Sequence, residues 1–301
     1  MTTQEIIQSL NDLDYATSKE SDVVNLIKQI GAGGGIIAQY HQGNQYNPPN
    51  LFTRATIYDP ANEQISNVAR ISYPPIEINY KYAKYQRAST PYRPMFYGSR
   101  LQSINTDDVY SSIRTALKET IHDYDELVTG NKNVIISLWY TIEPIFLFAV
   151  FSNEQFMENN PHAQEVQVAF QNWINNTPVE LRSNTFELLN FLAERFSEPV
   201  GQNPDVYKSS SIIAQYMLDR ISMLNYPING IVFPSTKVIG KELNVALNPL
   251  STDFKLSCVK VMDCKFLPDE KIQVQRRADL ELRQLEFEFT EDVNIEIDLN
   301  E

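Results

Sequence analysis

The chain has 301 residues, a mass of 34.6 kDa and 43% hydrophobic residues, enough apolar material for one large core or two modest ones. Sixteen Tyr, 15 Phe and 2 Trp against only 10 Gly exclude collagen-like and disordered chains. With 25 Lys and Arg against 38 Asp and Glu the net charge is −13, which argues against a general nucleic-acid or anionic-membrane surface but says nothing of a local basic site.

In chain order, 4–30 carries helical spacing: Ile6, Ile7 and Leu10, then, after an acidic break, Val23, Val24, Ile27 and Ile30. Its opening, MTTQEIIQSLNDLD, is polar and slightly acidic, unlike a secretion signal. The glycine run 31–35 lacks a preceding strand and the third glycine of a dinucleotide loop, so it reads as a helix terminator and turn. Asn47, Pro48, Pro49 and Asn50 mark a boundary. Strands are expected over 51–58 and 68–73, the second closed by Pro74 and Pro75, with a short one over 95–97. An amphipathic helix is expected over 107–128, with Val109, Ile113, Ala116, Leu117, Ile121 and Tyr124 on its apolar face. The apolar run 134–151 approaches the length of a membrane span, yet Glu143 and Pro144 divide it into two buried strands.

Helical patterns follow over 162–175, 179–197 and 205–224, then short strands over 231–233 and 245–247 and a longer one over 254–266. The close reads as a strand pair. Leu280 and Leu282, then Leu285, Phe287 and Phe289, alternate with polar residues across a slip at Arg283 and Gln284; Val293, Ile295, Ile297 and Leu299 alternate again. Residues 267–301 hold 11 acidic and 4 basic side chains, a net −7 expected on a solvated sheet face and tail. Strands and helices mix without regular βαβ alternation, so the expected fold class is α+β. Cys258 and Cys264 form no metal-binding spacing with each other or with His41, His122 and His162, and two isolated thiols fit a reducing, cytoplasmic setting.

One segment departs from the acidic average. Residues 78–106 contain no acidic side chain but five basic ones, Lys81, Lys84, Arg87, Arg93 and Arg100, interleaved with Tyr80, Tyr82, Tyr85, Tyr92, Phe96 and Tyr97. Guanidinium forks and aromatic faces suit a ligand with phosphates and flat rings. A solvated strand edge with its tyrosines on the core, or a track for single-stranded nucleic acid, meets the same pattern. The absence of any wider basic surface favours a small nucleotide over nucleic acid.

Arg87-Ala-Ser89, followed by Pro94-Met-Phe-Tyr97-Gly-Ser99, resembles the "R-x-N … P-x-x-Y-x-S" signature of RES-domain proteins, with Ser89 where that family has Asn. Thr115-Ala-Leu-Lys-Glu119 is similar to the family's "A-L-x-E" helix. Tyr226 to Ser235, then Leu243-Asn-Val-Ala-Leu247, resembles "Y-D-G-I-x-Y-P-S … N-x-A-L", with Asn229 in place of Asp. Leu51-Phe-Thr-Arg54-Ala is similar to the opening "L-Y-R-A" strand. The four matches stand in the family's order across about 51–250.

The resemblance implies an ADP-ribosyltransferase-like mixed sheet over 51–266; residues 153–204 read as a helical insertion into it, and the helical extension at 1–50 and the acidic β extension at 267–301 lie outside the resemblance. It implies an NAD+ glycohydrolase that frees nicotinamide and ADP-ribose as a toxin or defence effector, with a neutralising antitoxin or immunity partner and no metal. Protein mono-ADP-ribosyl transfer and nucleotide sensing without turnover stay open beside it. The roles implied are Glu119 beside the anomeric carbon, Arg87 on the diphosphate, Tyr97 at the nicotinamide end and Ser235 on a ribose or phosphate. Arg54, Ser99 and Asn244 are implied as further substrate contacts. Each has a plain rival: a solvated helix face for Glu119, a surface ion pair for Arg87, core packing for Tyr97, a turn for Ser235. Asp123 and Asp125 read as solvated helix-end charges. The two extensions are left between a homo-oligomer interface and a cover over the site.

Overall fold

The structure, a computed structural model, describes residues 1–30, 35–40, 51–75, 77, 81, 85–101, 106–121, 132–158, 161–164, 166–198, 206–223, 228–237 and 242–299. Most of the expected glycine turn at 31–35, the boundary at 47–50, Tyr80, Tyr82, Lys84, Asp123 and Asp125 lie outside the described residues. The architecture is mixed α+β, as the pattern predicts.

Ten strands form one sheet in the order β1-β5-β6-β7-β3-β2-β4-β8-β9-β10. They are β1 (Ile37–Tyr40), β2 (Leu51–Ile57), β3 (Phe96–Leu101), β4 (Lys132–Thr141), β5 (Ile145–Ala149), β6 (Gly230–Pro234), β7 (Leu243–Leu247), β8 (Leu256–Leu267), β9 (Lys271–Asp279) and β10 (Glu291–Asp298). Neighbours pair antiparallel except β5 and β6, which are parallel. Gly230 is required by close approach, since a Cβ there would lie 2.0 Å from the Ala246 carbonyl oxygen on β7.

The seam at the middle of this sheet is short. β2 pairs with β4 along seven positions, Leu51 to Ile57, but with β3 at only three, from Leu51↔Leu101 to Thr53↔Ser99. Beyond that the strands part. Arg54 fills the opening, its Nη1 donating to the Tyr97 carbonyl at 2.7 Å and its Nε to the Ile71 carbonyl at 3.1 Å.

The large core joins α1 (Thr3–Asn11) and α2 (Glu20–Ile27) to the helices that follow β5. Ile6, Leu10, Val23 and Ile27 belong to the same buried cluster as Phe148, Leu192 and Ile213. Those later helices are α4 (Asn153–Met157), α5 (Pro161–Gln164), α6 (Gln167–Asn176), α7 (Val179–Ser197) and α8 (Val206–Met223). Ser152, whose hydroxyl accepts the Gln155 N–H, caps α4. Helix α3 (Thr106–Thr120) lies against β2 and β3 and presents two stripes. Ile113, Ala116, Leu117 and Ile121 join Ala55, Val134, Ile136, Cys264 and Phe266 in a second core over the C-terminal half of the sheet. The other stripe is polar.

Three expectations are corrected. The apolar run at 68–73 is not a strand but a 3-10 turn, Val68–Ile71, whose buried Val68 and Ile71 are three residues apart and whose first turn is capped by Asn67. The strand expected from 254 begins at Leu256, because Asn248 and Pro249 start a short helix, α9 (Pro249–Lys255), that carries Phe254 to the surface. The partner of the last strand is β9, not 279–289. A tight turn with Asp269 and Glu270 at φ 61° and 57° returns β8 into β9, and β10 then pairs with β9. Arg283 at φ 65° breaks the extended run where the alternation slips, and Phe287 crosses to the Ser66 carbonyl.

Candidate functional site

The register places a row of polar side chains across the sheet. Thr53 faces Ser99 on β3, and Ser99 faces Asn244 on β7; residues directly opposite on antiparallel strands share a face. Helix α3 covers that row with its own polar stripe, Ser112, Thr115 and Glu119. Ser112 and Thr115 are fully buried, so this side of the helix is not the solvated face that its polarity predicts. Thr53 and Ser112 hydroxyls meet at 2.7 Å, while Thr115 Oγ1 is buried with no hydrogen-bond partner among the described residues.

Glu119 ends the stripe, partly buried. Its Oε1 accepts from Ser235 Oγ at 2.8 Å and from Asn244 Nδ2 at 2.8 Å. Asn244 is itself oriented, because its Oδ1 accepts from Ser99 Oγ at 3.0 Å. Ser235 stands just past β6, its N–H donating to the Glu242 carbonyl at 3.0 Å. Four of the seven residues singled out in the sequence thus form one hydrogen-bonded network from four separate chain segments. Among the described residues nothing donates to Glu119 Oε2, and no cation lies within ion-pair distance.

Arg87 is next to this network through Thr236, the residue after Ser235, whose hydroxyl accepts from Nη2 at 3.1 Å. It is not a surface ion pair. Arg87 is 5% exposed, and its Nη1 donates to the main-chain carbonyls of Phe196 and Glu198 at the end of α7. The Tyr207 ring lies 5.2 Å beneath it. Burial raises the Tyr207 pKa; the Arg87 charge opposes this and the Glu119 charge adds to it, so both ions bear on this phenol.

Tyr97 faces the same loop. Its hydroxyl accepts the Ala88 N–H at 2.9 Å and lies 3.0 Å from Ser89 Oγ, and burial above all pushes its pKa up to about 12. Ser89 also accepts the Met95 N–H at 3.1 Å, closing the loop that carries Arg87. Arg54 lies apart from the Glu119 network. Its donors go to the Tyr97 and Ile71 carbonyls, its guanidinium rests on Phe96, and burial chiefly lowers its pKa to about 10.

Sequence reasoning missed Thr236, Tyr207 and Gln215, whose Nε2 donates to the Ala88 carbonyl at 2.6 Å. Thr236 was within reach as the neighbour of Ser235. Tyr207 and Gln215 are ordinary residues of an amphipathic helix, and no motif marks them. Among the described residues no group of three or more His, Cys, Asp or Glu side chains is placed to hold a metal ion, and no helix is long and apolar enough to cross a membrane. Comparison with family models, curated proteins and solved structures returns no match.

Proposed function

We propose that the chain cleaves the N-glycosidic bond of NAD+, with Glu119 as its catalytic carboxylate and an ADP-ribosyltransferase-like arrangement of the sheet. One observation carries the reading: Ser235, just past β6, and Asn244, on β7, both donate to Glu119 Oε1 at 2.8 Å. Two neutral donors on one oxygen fix the carboxylate without cancelling its charge.

The chemistry follows from that arrangement. As the bond from C1′ to the nicotinamide nitrogen breaks, its electron pair leaves with the nicotinamide, and positive charge builds on the ribose as an oxocarbenium ion. A fixed carboxylate beside C1′ stabilises this charge. Water adds to C1′, its proton passes to Glu119 Oε2 or to solvent, and the products are nicotinamide, ADP-ribose and a proton. Arg87 holds the diphosphate through the donors that α7 and Thr236 do not take. Ser99 orients Asn244. Tyr97, its hydroxyl committed to the Arg87 loop, offers its ring to the nicotinamide end, and Arg54 steadies the backbone beneath it.

Purified protein incubated with NAD+ is expected to yield nicotinamide and free ADP-ribose in equal amounts, detected by chromatography. Glu119→Ala should abolish both. Covalent transfer of label from NAD+ to protein would replace hydrolysis by ADP-ribosyl transfer, and nucleotide-dependent thermal stabilisation without any product would leave a sensor.

A further inference from the structure

Three chain segments surround the Arg87 guanidinium, and each is tied to the same short stretch near the N-terminus. The Arg87 loop is held two residues upstream, where the Tyr85 hydroxyl donates to Glu20 Oε1 at 2.9 Å. The end of α7 is held by Arg195, which donates to Asn11 Oδ1 and pairs with Glu198 at 2.8 Å. Helix α8 is held one residue after Tyr207, where Lys208 Nζ donates to the Tyr15 and Ser18 carbonyls, both at 2.8 Å. Lys208 also lies 5.9 Å from the Tyr85 ring, joining two of the three walls.

The donors left on Arg87 point to what this bracing serves. Nη1 is taken by two carbonyls and Nη2 gives one hydrogen to Thr236. Nε–H and the second Nη2 hydrogen have no acceptor among the described residues. Coplanar donors of this kind engage two oxygens of a phosphate, and a guanidinium already fixed by carbonyls and a ring loses little freedom on doing so.

We infer that the elbow between α1 and α2, residues 11–20, is the positioning element of a diphosphate-binding cluster made by Arg87, Thr236 and Tyr207. The N-terminal segment is thereby part of the substrate site. The inference rests on the reading of Arg87 as the diphosphate anchor.

The probe is inorganic pyrophosphate, titrated calorimetrically into the full chain, with NAD+ turnover measured on the same preparations. Deleting residues 1–30 would strip Ile6, Leu10, Val23 and Ile27 from the core, so point changes are used instead. Arg87→Gln is expected to lose pyrophosphate binding. The double variant Tyr85→Phe/Lys208→Met should weaken it about tenfold, as loss of oriented, charge-assisted contacts does. KM for NAD+ should rise in parallel with kcat held, and Lys208→Arg should keep most of the affinity. The inference is overturned if the wild-type chain binds no pyrophosphate, if the double variant binds it as the wild type does, or if kcat and Tm fall with KM unchanged. Elbow-dependent pyrophosphate binding without NAD+ consumption would retain the positioning role and remove the hydrolase. Consumption of NAD+ with elbow-independent binding would do the reverse.

Discussion

Asp263 on β8 and Glu119 on α3 are both carboxylates set against the sheet, one in each half, and their partners differ in kind. Asp263 is 1% exposed; Arg276 reaches its Oδ2 at 2.6 and 3.0 Å, and the Tyr58 hydroxyl donates to its Oδ1 at 2.6 Å. Arg276 in turn lies over the Phe289 ring at 4.6 Å, so the pair also pins the chain that leads into β10. Burial and Asp263 together raise the Tyr58 pKa, keeping that phenol a donor. Among the described residues Glu119 meets only neutral donors, and the nearest cation in sequence, Lys118, is drawn instead to Glu270 at 2.6 Å. The fold consumes the charge of Asp263. Among the described residues it orients Glu119 with neutral donors and sets no cation against it, which is the arrangement the proposed cleavage calls for.

The sharpest way to break this contrast is to neutralise each carboxylate. Glu119→Gln keeps the shape and both hydrogen bonds, so NAD+ cleavage should fall about a thousandfold while Tm moves by less than ~2 °C. Asp263→Ala leaves Arg276 and Tyr58 without their acceptor. A cost of about 3 kcal/mol is expected, at the low end for a buried pair because Arg276 is partly solvated. That corresponds to a fall in Tm of roughly 5 °C with the turnover of the folded fraction unchanged. Calorimetry and initial rates on both variants would dissolve the contrast if each lost stability and activity in equal measure.

A smaller effect is expected at the donors. Asn244→Ala or Ser235→Ala should each lower kcat roughly tenfold to a hundredfold, since each removes one of the two hydrogen bonds that orient Oε1. Equal rates in wild type and both variants would show that Oε1 needs no such support.

The smallest effect concerns Glu242, at the start of β7. Burial raises its pKa above 4.5, the Ser111 hydroxyl opposes this, Asp108 adds to it and Arg114 opposes it. A carboxyl with a raised folded-state pKa favours the neutral form. It contributes stability below pH 4.5 that is lost as the pH climbs through the raised value. Glu242→Gln, neutral throughout, should therefore raise Tm by about 2 °C at pH 7 and leave it nearly unchanged at pH 4. A thermal scan at the two pH values reads the difference directly.

Much of the secondary structure is legible one element at a time. Glu143 and Pro144 divide the run 134–151, and β4 and β5 end and begin around them. The helix over 179–197 agrees with α7 because nineteen residues of periodic apolar spacing admit little else. The 3-10 turn at Val68 and the irregular chain at 280–290 depart from the sequence pattern for a common reason. Alternation reports which side chains are half-buried, not whether a neighbouring strand is present to pair with.

The site divides along the same line. Glu119, Ser235, Asn244 and Ser99 are nameable from the resemblance, and the structure brings them together. The sealed polar face of α3, the commitment of Arg87 to the end of α7 and the presence of Tyr207 were not nameable.

The opening charge count shows where this boundary lies. Sequence alone determined that a chain of net −13 holds one acid-free, aromatic stretch with five cations, because composition is a property of the chain. Only the tertiary structure decided what those cations do. Arg93 pairs with Asp219 at 2.7 Å, Arg87 braces a helix end and Arg100 lies on Tyr40, each meeting a partner more than fifty residues away. Which charge remains free to act depends on such distant neighbours, since an ion's energy is set by what surrounds it and not by its place in the chain.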